Sequence, residues 1–295
     1  MDSIIESLVE MINDMLKGMI LTNLETMFTD VNTGVSSIAG NVSQTPQGWN
    51  GTIFSMIQTL SNNVIVPVAG IIITAVLCYE LITMVTSNNG FERDGEETAI
   101  FFKFIFKACV AVYLLTNTFD IVCAVFQLGS EIVNNSSGEI AAASSIDVAS
   151  TIQDMFEEQF ADMDTGELFV FAMETFLVKF GMKIMAVCIT VVLYSRMIEI
   201  YLYMSVAPIP FATLTNREWG SIGTNYVKGI TALAFQGFFI MVCVGIYAAI
   251  VTDVVGSVDS LTLSTALWQV GAVTIVLCFA LFKTGSISRS IMNAH

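Results

Sequence analysis

Charge is scarce in this chain. Lys, Arg, Asp and Glu together make up 13% of its residues, about half of what a soluble domain carries. Basic residues are the scarcer kind, with 11 Lys and Arg against 26 Asp and Glu and a net charge of −15. They form no cluster, which argues against nucleic-acid binding by neutralised phosphates. The single histidine is His295, so neither a haem ligand pair nor a histidine zinc site can be assembled, and no cofactor is expected. No Walker loop, nucleophile–base arrangement, metal-ligand spacing or paired catalytic carboxylates occurs, so we expect no enzyme. The six cysteines, Cys78, Cys109, Cys123, Cys188, Cys243 and Cys278, form no C-x-x-C pair. Each lies in or beside an apolar run and reads as a small packing residue. A basic start followed by an unbroken apolar core is also missing, so no cleavable signal peptide is expected.

What the chain has instead is length without charge. Hydrophobic residues make up 55% of it. A bilayer core about 30 Å thick is crossed by roughly 20 apolar residues in a helix. Val64–Thr86, Ala108–Leu128, Ile230–Val251 and Leu261–Phe282 meet that length, and Leu168–Ala207 exceeds it. Backbone polar groups in lipid must be satisfied internally, and these runs lack the period-two alternation of barrel strands. The expected fold is therefore all-α, a polytopic membrane protein with about five transmembrane helices.

The stretches between the runs define the organisation. Residues 1–63 read as extracytoplasmic helices and a linker. Ile4, Ile5, Leu8, Val9, Ile12, Met15, Leu16, Met19 and Ile20 recur at helical spacing among Asp2, Glu6, Glu10 and Asp14, which predicts an amphipathic N-terminal helix. Helices that lie on membranes are basic on the polar face, so this acidic one is expected to pack on protein. Residues 31–52 read as a loop, Ile53–Leu60 as a short amphipathic piece, and Asn62 or Asn63 as a cap before Pro67. Spans 1 and 2 fill 64–128 with a charged loop between them, where Lys103 and Lys107 can snorkel to head groups. Residues 129–167 read as an acidic outer loop, 168–207 as the third helix and 208–229 as a cytoplasmic loop. Spans 4 and 5 and a tail with Lys283 and Arg289 occupy 230–295, separated by an acidic turn at Asp253–Ser260.

Lys and Arg favour the cytoplasmic side of short loops. Arg93, Lys103, Lys107, Arg217, Lys228, Lys283 and Arg289 fall on one side of a five-span layout, against Lys17, Lys179 and Lys183 on the other. This predicts a plasma-membrane protein with its N-terminus outside and its C-terminus inside. The third region is too long for a simple span. It is either one long tilted helix or a re-entrant hairpin, and the absence of proline between Leu168 and Ala207 favours the helix.

Few residues carry candidate chemistry. Arg196 and Glu199 share a helix face and can neutralise each other. They form either a structural pair or the lining of a conduit, since intramembrane charges face bundle interiors or wet cavities. Asp120, Gln236 and Gln269 are suited to hydrogen bonds with facing helices. Gly245 and Ala249 have a spacing that permits close helix approach.

One stretch resembles a known family. Ala207-Pro208-Ile209-Pro210-Phe211, then Asn216-Arg217-Glu218-Trp219-Gly220, Asn225-Tyr226-Val227-Lys228-Gly229 and Ala234-Phe235-Gln236-Gly237, is similar to the TrbL family. These are VirB-like polytopic membrane subunits of type IV secretion and conjugation machines, in the form found on conjugative elements of Gram-positive bacteria. The resemblance implies a multimeric channel or scaffold subunit that helps DNA or protein cross the membrane. It implies cytoplasmic ATPases and other secretion subunits as partners, with transient contact to transferred DNA. It points to Pro208, Pro210, Arg217, Trp219, Gly220 and Lys228 as a partner-docking loop, in which Trp219 is either a docking residue or an interfacial anchor. The competing reading is a secondary transporter, whose usual repeated halves do not fit five spans.

Overall fold

The computed structural model describes residues 2–87, 96–143, 163–256 and 263–294. Among them all regular structure is helical: α1 Asp2–Val42, α2 Pro46–Trp49, α3 Gly51–Leu60, α4 Val66–Ser87, α5 Glu96–Thr116, α6 Thr118–Ala143, α7 Thr165–Val206, α8 Pro208–Thr213, α9 Gly220–Gly256 and α10 Leu263–Ile291, with a π-helical turn at Ser61–Ile65. Among the described residues four helical stretches are long and apolar enough to cross a membrane: Gly51–Thr86, Thr165–Val206, Gly220–Val254 and Leu263–Ile291. Phe101–Thr116 and Thr118–Gly138 add a fifth span if that bent pair is counted as one. Ile71, Ile82, Phe176, Val187, Val276 and Phe279 are exposed on these helices, a surface suited to lipid and not to water. The chain is an all-α, multi-pass membrane protein.

The long third region is one helix of 42 residues, about 60 Å at about 1.5 Å per residue. The next proline after this helix begins is Pro208, which opens α8 at a position whose N–H needs no partner.

Several expected boundaries move. Residues 31–42 continue α1 and are not loop, and the link to α3 is made by capped turns. Thr45 Oγ1 accepts from Gly48 N at 3.1 Å and Asn50 Oδ1 from Ile53 N at 3.0 Å, each satisfying an orphan donor. Asn62 and Asn63 cap nothing, because they lie in the π-helical turn that joins α3 to α4. Val66 N reaches back to Ser61 O there, a wider loop that accommodates Pro67, whose ring would clash with the carbonyl four residues earlier.

The second expected span, Ala108–Leu128, is broken at Asn117, where α5 and α6 meet at 65°. The cause is the polar trio Thr116-Asn117-Thr118. Thr116 Oγ1 donates to Val112 O, Asn117 Nδ2 to Tyr113 O and Thr118 Oγ1 to Leu114 O, at 3.0, 2.9 and 2.7 Å. Side chains thereby compete for the last carbonyls of α5 and permit a kink inside an apolar region.

The expected outer loop begins later, because α6 runs to Ala143, and residues 144–162 lie outside the described residues. Residues 220–229 belong to α9, which runs on through Asp253 to Gly256, and residues 283–291 to α10, so the expected cytoplasmic loop shrinks and the tail is helical.

The chain divides into two compact units. The first, Met1–Val42, Val133–Leu193 and Phe239–Thr284, packs Ile20, Leu24, Met27, Val31 and Val42 of α1 among Leu168, Val178, Ile240, Val244 and Leu281. Polar clasps cross this core: Asn23 Nδ2 donates to Thr175 Oγ1 at 3.3 Å, and Lys179 Nζ to Asn23 Oδ1 at 3.1 Å. The later half of α1 thus packs on protein. Earlier in the helix one stripe does not: Ile4, Leu8, Ile12, Met15 and Met19 are exposed, while Leu16 and Ile20 are buried in the core.

The second unit comprises Ser43–Ile132, Tyr194–Phe238 and Gly285–His295. Its core joins Phe119, Val122 and Phe126 to Ile200, Met204, Phe211, Ile230 and Leu233. Lipid gives apolar helices little reason to associate, so close backbone approach matters more. A Cβ on Gly129 would lie 2.9 Å from Ala234 O, which makes glycine necessary where α6 crosses α9. On the same helix Gly245 is half-buried and Ala249 exposed.

Candidate functional site: a latched turn after the long helix

Six residues, Leu214–Trp219, separate α8 from α9. Two threads hold them. Thr213 Oγ1 accepts from Gly223 N at 3.1 Å. Asn216 Oδ1 accepts from both Glu218 N at 2.8 Å and Trp219 N at 2.9 Å, an arrangement in which a short amide closes the turn on its own backbone. Gly223 sits where a Cβ would meet Pro210 O and Leu214 Cγ, each at 2.6 Å. It is there for close packing of the helical corner and not to supply a turn, and Gly220 likewise faces Leu214 O.

The turn is then tied to α4. Asn216 is buried, and its Nδ2 donates to Glu80 Oε2 at 3.2 Å. Glu80, also buried, receives Lys107 Nζ of α5 on its other oxygen. Lys107 therefore does not snorkel freely; it neutralises a carboxylate inside the helix cluster. One residue earlier, Tyr79 Oη donates to Glu218 Oε2 at 2.7 Å. The Tyr79 ring stacks on Trp219 with centroids 5.8 Å apart and planes 9° from parallel. Beneath this polar seam Ala212 of α8 packs with Ala69 and Ile73 of α4 and Ala111 and Leu115 of α5.

Of the predicted docking residues, Pro208 is buried and Pro210 half-buried, so they shape the corner; Lys228 is half-buried on α9. Arg217 and Trp219 are exposed, Trp219 at 43%. The corner thus presents a cation and a large aromatic ring on a backbone fixed from within.

The intramembrane candidates separate. Glu199 pairs with Arg289 of α10, not with Arg196. The i, i+3 spacing was correct for a shared face, but a guanidinium on the neighbouring helix outcompetes it. Arg196 is 7% exposed, and among the described residues nothing accepts from its Nε. Gln236 is buried with its amide 3.2 Å from where a Gly285 Cβ would stand, which places it at the α9–α10 contact. Asp120 is exposed in the first turn of α6, where it complements the helix dipole instead of meeting a facing helix. Sequence reasoning missed Tyr79 and Glu80. The available signal was a lone Glu in the apolar run Val64–Thr86, a placement too costly without a partner.

The family model described as TrbL/VirB6 plasmid conjugal transfer like protein matches residues 31–208, more than half of the chain. That match overlaps the run Ala207–Gly237 only at Ala207 and Pro208. No curated protein and no solved structure matches the chain.

Proposed function

Since the chain belongs to the TrbL/VirB6 plasmid conjugal transfer family, and hence to the subunits of conjugal transfer systems, we propose that it is a non-catalytic channel or scaffold subunit of a conjugative type IV secretion machine. Its task on this reading is to help DNA or protein substrate cross the cytoplasmic membrane. The latched corner at Pro208–Lys228 is the surface on which a cytoplasmic ATPase or another secretion subunit docks. The observation that carries the proposal is the internal fixing of this corner: Asn216, Glu80 and Tyr79 hold Arg217 and Trp219 outward in a set geometry, and a pre-ordered surface binds without an ordering cost.

The basic residues support an N-terminus outside and a C-terminus inside, with the bent pair α5–α6 counted as one crossing. The uncovered stripe Ile4, Leu8, Ile12, Met15 and Met19 supports a homo-oligomer in which α1 of one copy meets another. Arg196 and Gln236 are buried in the spans and are the candidates for a conduit or for gripping a neighbouring copy, while exposed Asp120 and the paired Glu199 are weaker ones.

The experiment is conjugation frequency measured beside quantified membrane protein for Trp219→Ala. Reduced transfer at normal protein level supports docking. Unchanged transfer makes Trp219 a passive interfacial residue.

A further inference from the structure

Within the first unit, α7 and α10 run side by side in the same direction. Ser264 Oγ donates to Glu174 Oε2 at 2.6 Å, and further along a Cβ on Gly271 would meet Val178 Cγ1 at 3.2 Å. Cys188 and Cys278 are separated by the same number of positions as Glu174 and Ser264, so this register places them at the same level of the two helices, and Cys188 is the side chain that acts electrostatically on the Cys278 thiol. Cys278 is buried in the core of the unit, and Cys188 packs against that core half-buried. The neighbours of Cys188 on α7, Ile184, Val187 and Val191, are exposed apolar residues on a surface suited to lipid.

We propose that Cys188 and Cys278 form a redox-active dithiol that closes to a disulfide between α7 and α10, with a lipid-soluble quinone as oxidant. Both thiols lie in apolar spans that water-soluble oxidants do not enter, whereas a quinone dissolves among acyl chains. The accessible Cys188 reacts first and Cys278 completes the bond. Two thiols become one S–S bond, and the two protons and two electrons released convert quinone to hydroquinone. Gly271 lets the Val178 side chain seat directly on α10, and such close packing is what a disulfide between two helices requires. The bond fixes the register of two long helices that are otherwise joined by hydrogen bonds and packing. This proposal is independent of the role in transfer.

The test uses the full-length protein in liposomes treated with decylubiquinone, then denatured, alkylated and weighed intact. Two of the six thiols should become unavailable and return on reduction. Cys188→Ala and Cys278→Ala should each leave every remaining thiol alkylatable under the same treatment. Retention of all six labels would overturn the proposal. So would loss of two thiols in Cys188→Ala, or a mass gain from a quinone adduct in place of a bridge. If an alanine variant fails to insert, mapping the linked peptides in the oxidised wild type decides the same point: a bridge joining any other pair overturns it.

Discussion

Asn216 Nδ2 donates to Glu80 Oε2 at 3.2 Å across 136 positions of sequence, and both side chains are buried. The same amide closes the turn through its oxygen. One side chain therefore sets the local shape of the corner and its attachment to α4.

Removing that side chain has a predictable cost. Asn216→Ala should lower stability by about 1–3 kcal/mol, because it strips one buried acceptor and two partly buried donors of their partner. Glu80→Gln should cost less than Glu80→Ala, since the amide can still accept from Asn216. Thermal unfolding in detergent orders the three variants, and equal midpoints for all would show that the latch contributes nothing.

Trp219→Ala should separate transfer from folding. The ring is exposed and stacks on Tyr79, so its loss forfeits about 0.5–1.5 kcal/mol of aromatic contact and leaves the buried latch intact. Transfer should fall at least tenfold with membrane levels near normal. Tyr79→Phe keeps the stack but loses the bond to Glu218, and it should give an intermediate phenotype.

Arg196→Met tests a buried charge. Replacing a buried ionic group with an apolar one of similar volume is neutral or stabilising by about 1–4 kcal/mol where the charge is only structural. We expect an unchanged or higher melting point together with reduced transfer. Full transfer would remove Arg196 from any conduit, and a lower melting point would reveal a partner outside the described residues.

Truncation of α1 should depend on where it stops. Leu16, Ile20, Leu24 and Met27 belong to the core of the first unit, so deleting residues 2–30 should destabilise the protein. Deleting residues 2–15 removes exposed side chains and should preserve the melting point while lowering the assembled mass in detergent. Assembly unchanged after the shorter deletion would assign the exposed stripe to lipid.

Orientation is checked by labelling single cysteines in a cysteine-free background. Asn135→Cys should react with an impermeant maleimide from outside and Ser221→Cys should not. With the N-terminus outside, labelling of Ser221→Cys in place of Asn135→Cys would mean that the bent pair α5–α6 enters and leaves on one side.

The apolar runs made the membrane class and the long α7 legible in the sequence, because length and missing charge are additive properties of a window. The kink at Asn117 was also written there, as three consecutive hydrogen-bonding residues inside an apolar stretch, but a window average conceals it. The pairing of Glu199 with Arg289 was not legible, since it depends on which helix lies alongside α7 and no local spacing encodes that. The latch went unread: Glu80 is a lone charge in an apolar run whose cost points to a partner, while Lys107 and Asn216 are ordinary residues until the helices meet.

The latch also constrains how the protein is made. Glu80 and Lys107 emerge from the ribosome well before Asn216, by on the order of ten seconds at ordinary synthesis rates. During that interval the carboxylate has only the lysine to offset its charge as α4 and α5 enter the bilayer. Insertion of the first helices should therefore depend on Lys107, whereas Asn216 matters only once the nascent chain has supplied its corner. Substituting Lys107 should divert the chain to membrane quality-control proteases, and substituting Asn216 should yield an inserted protein that is loosely assembled.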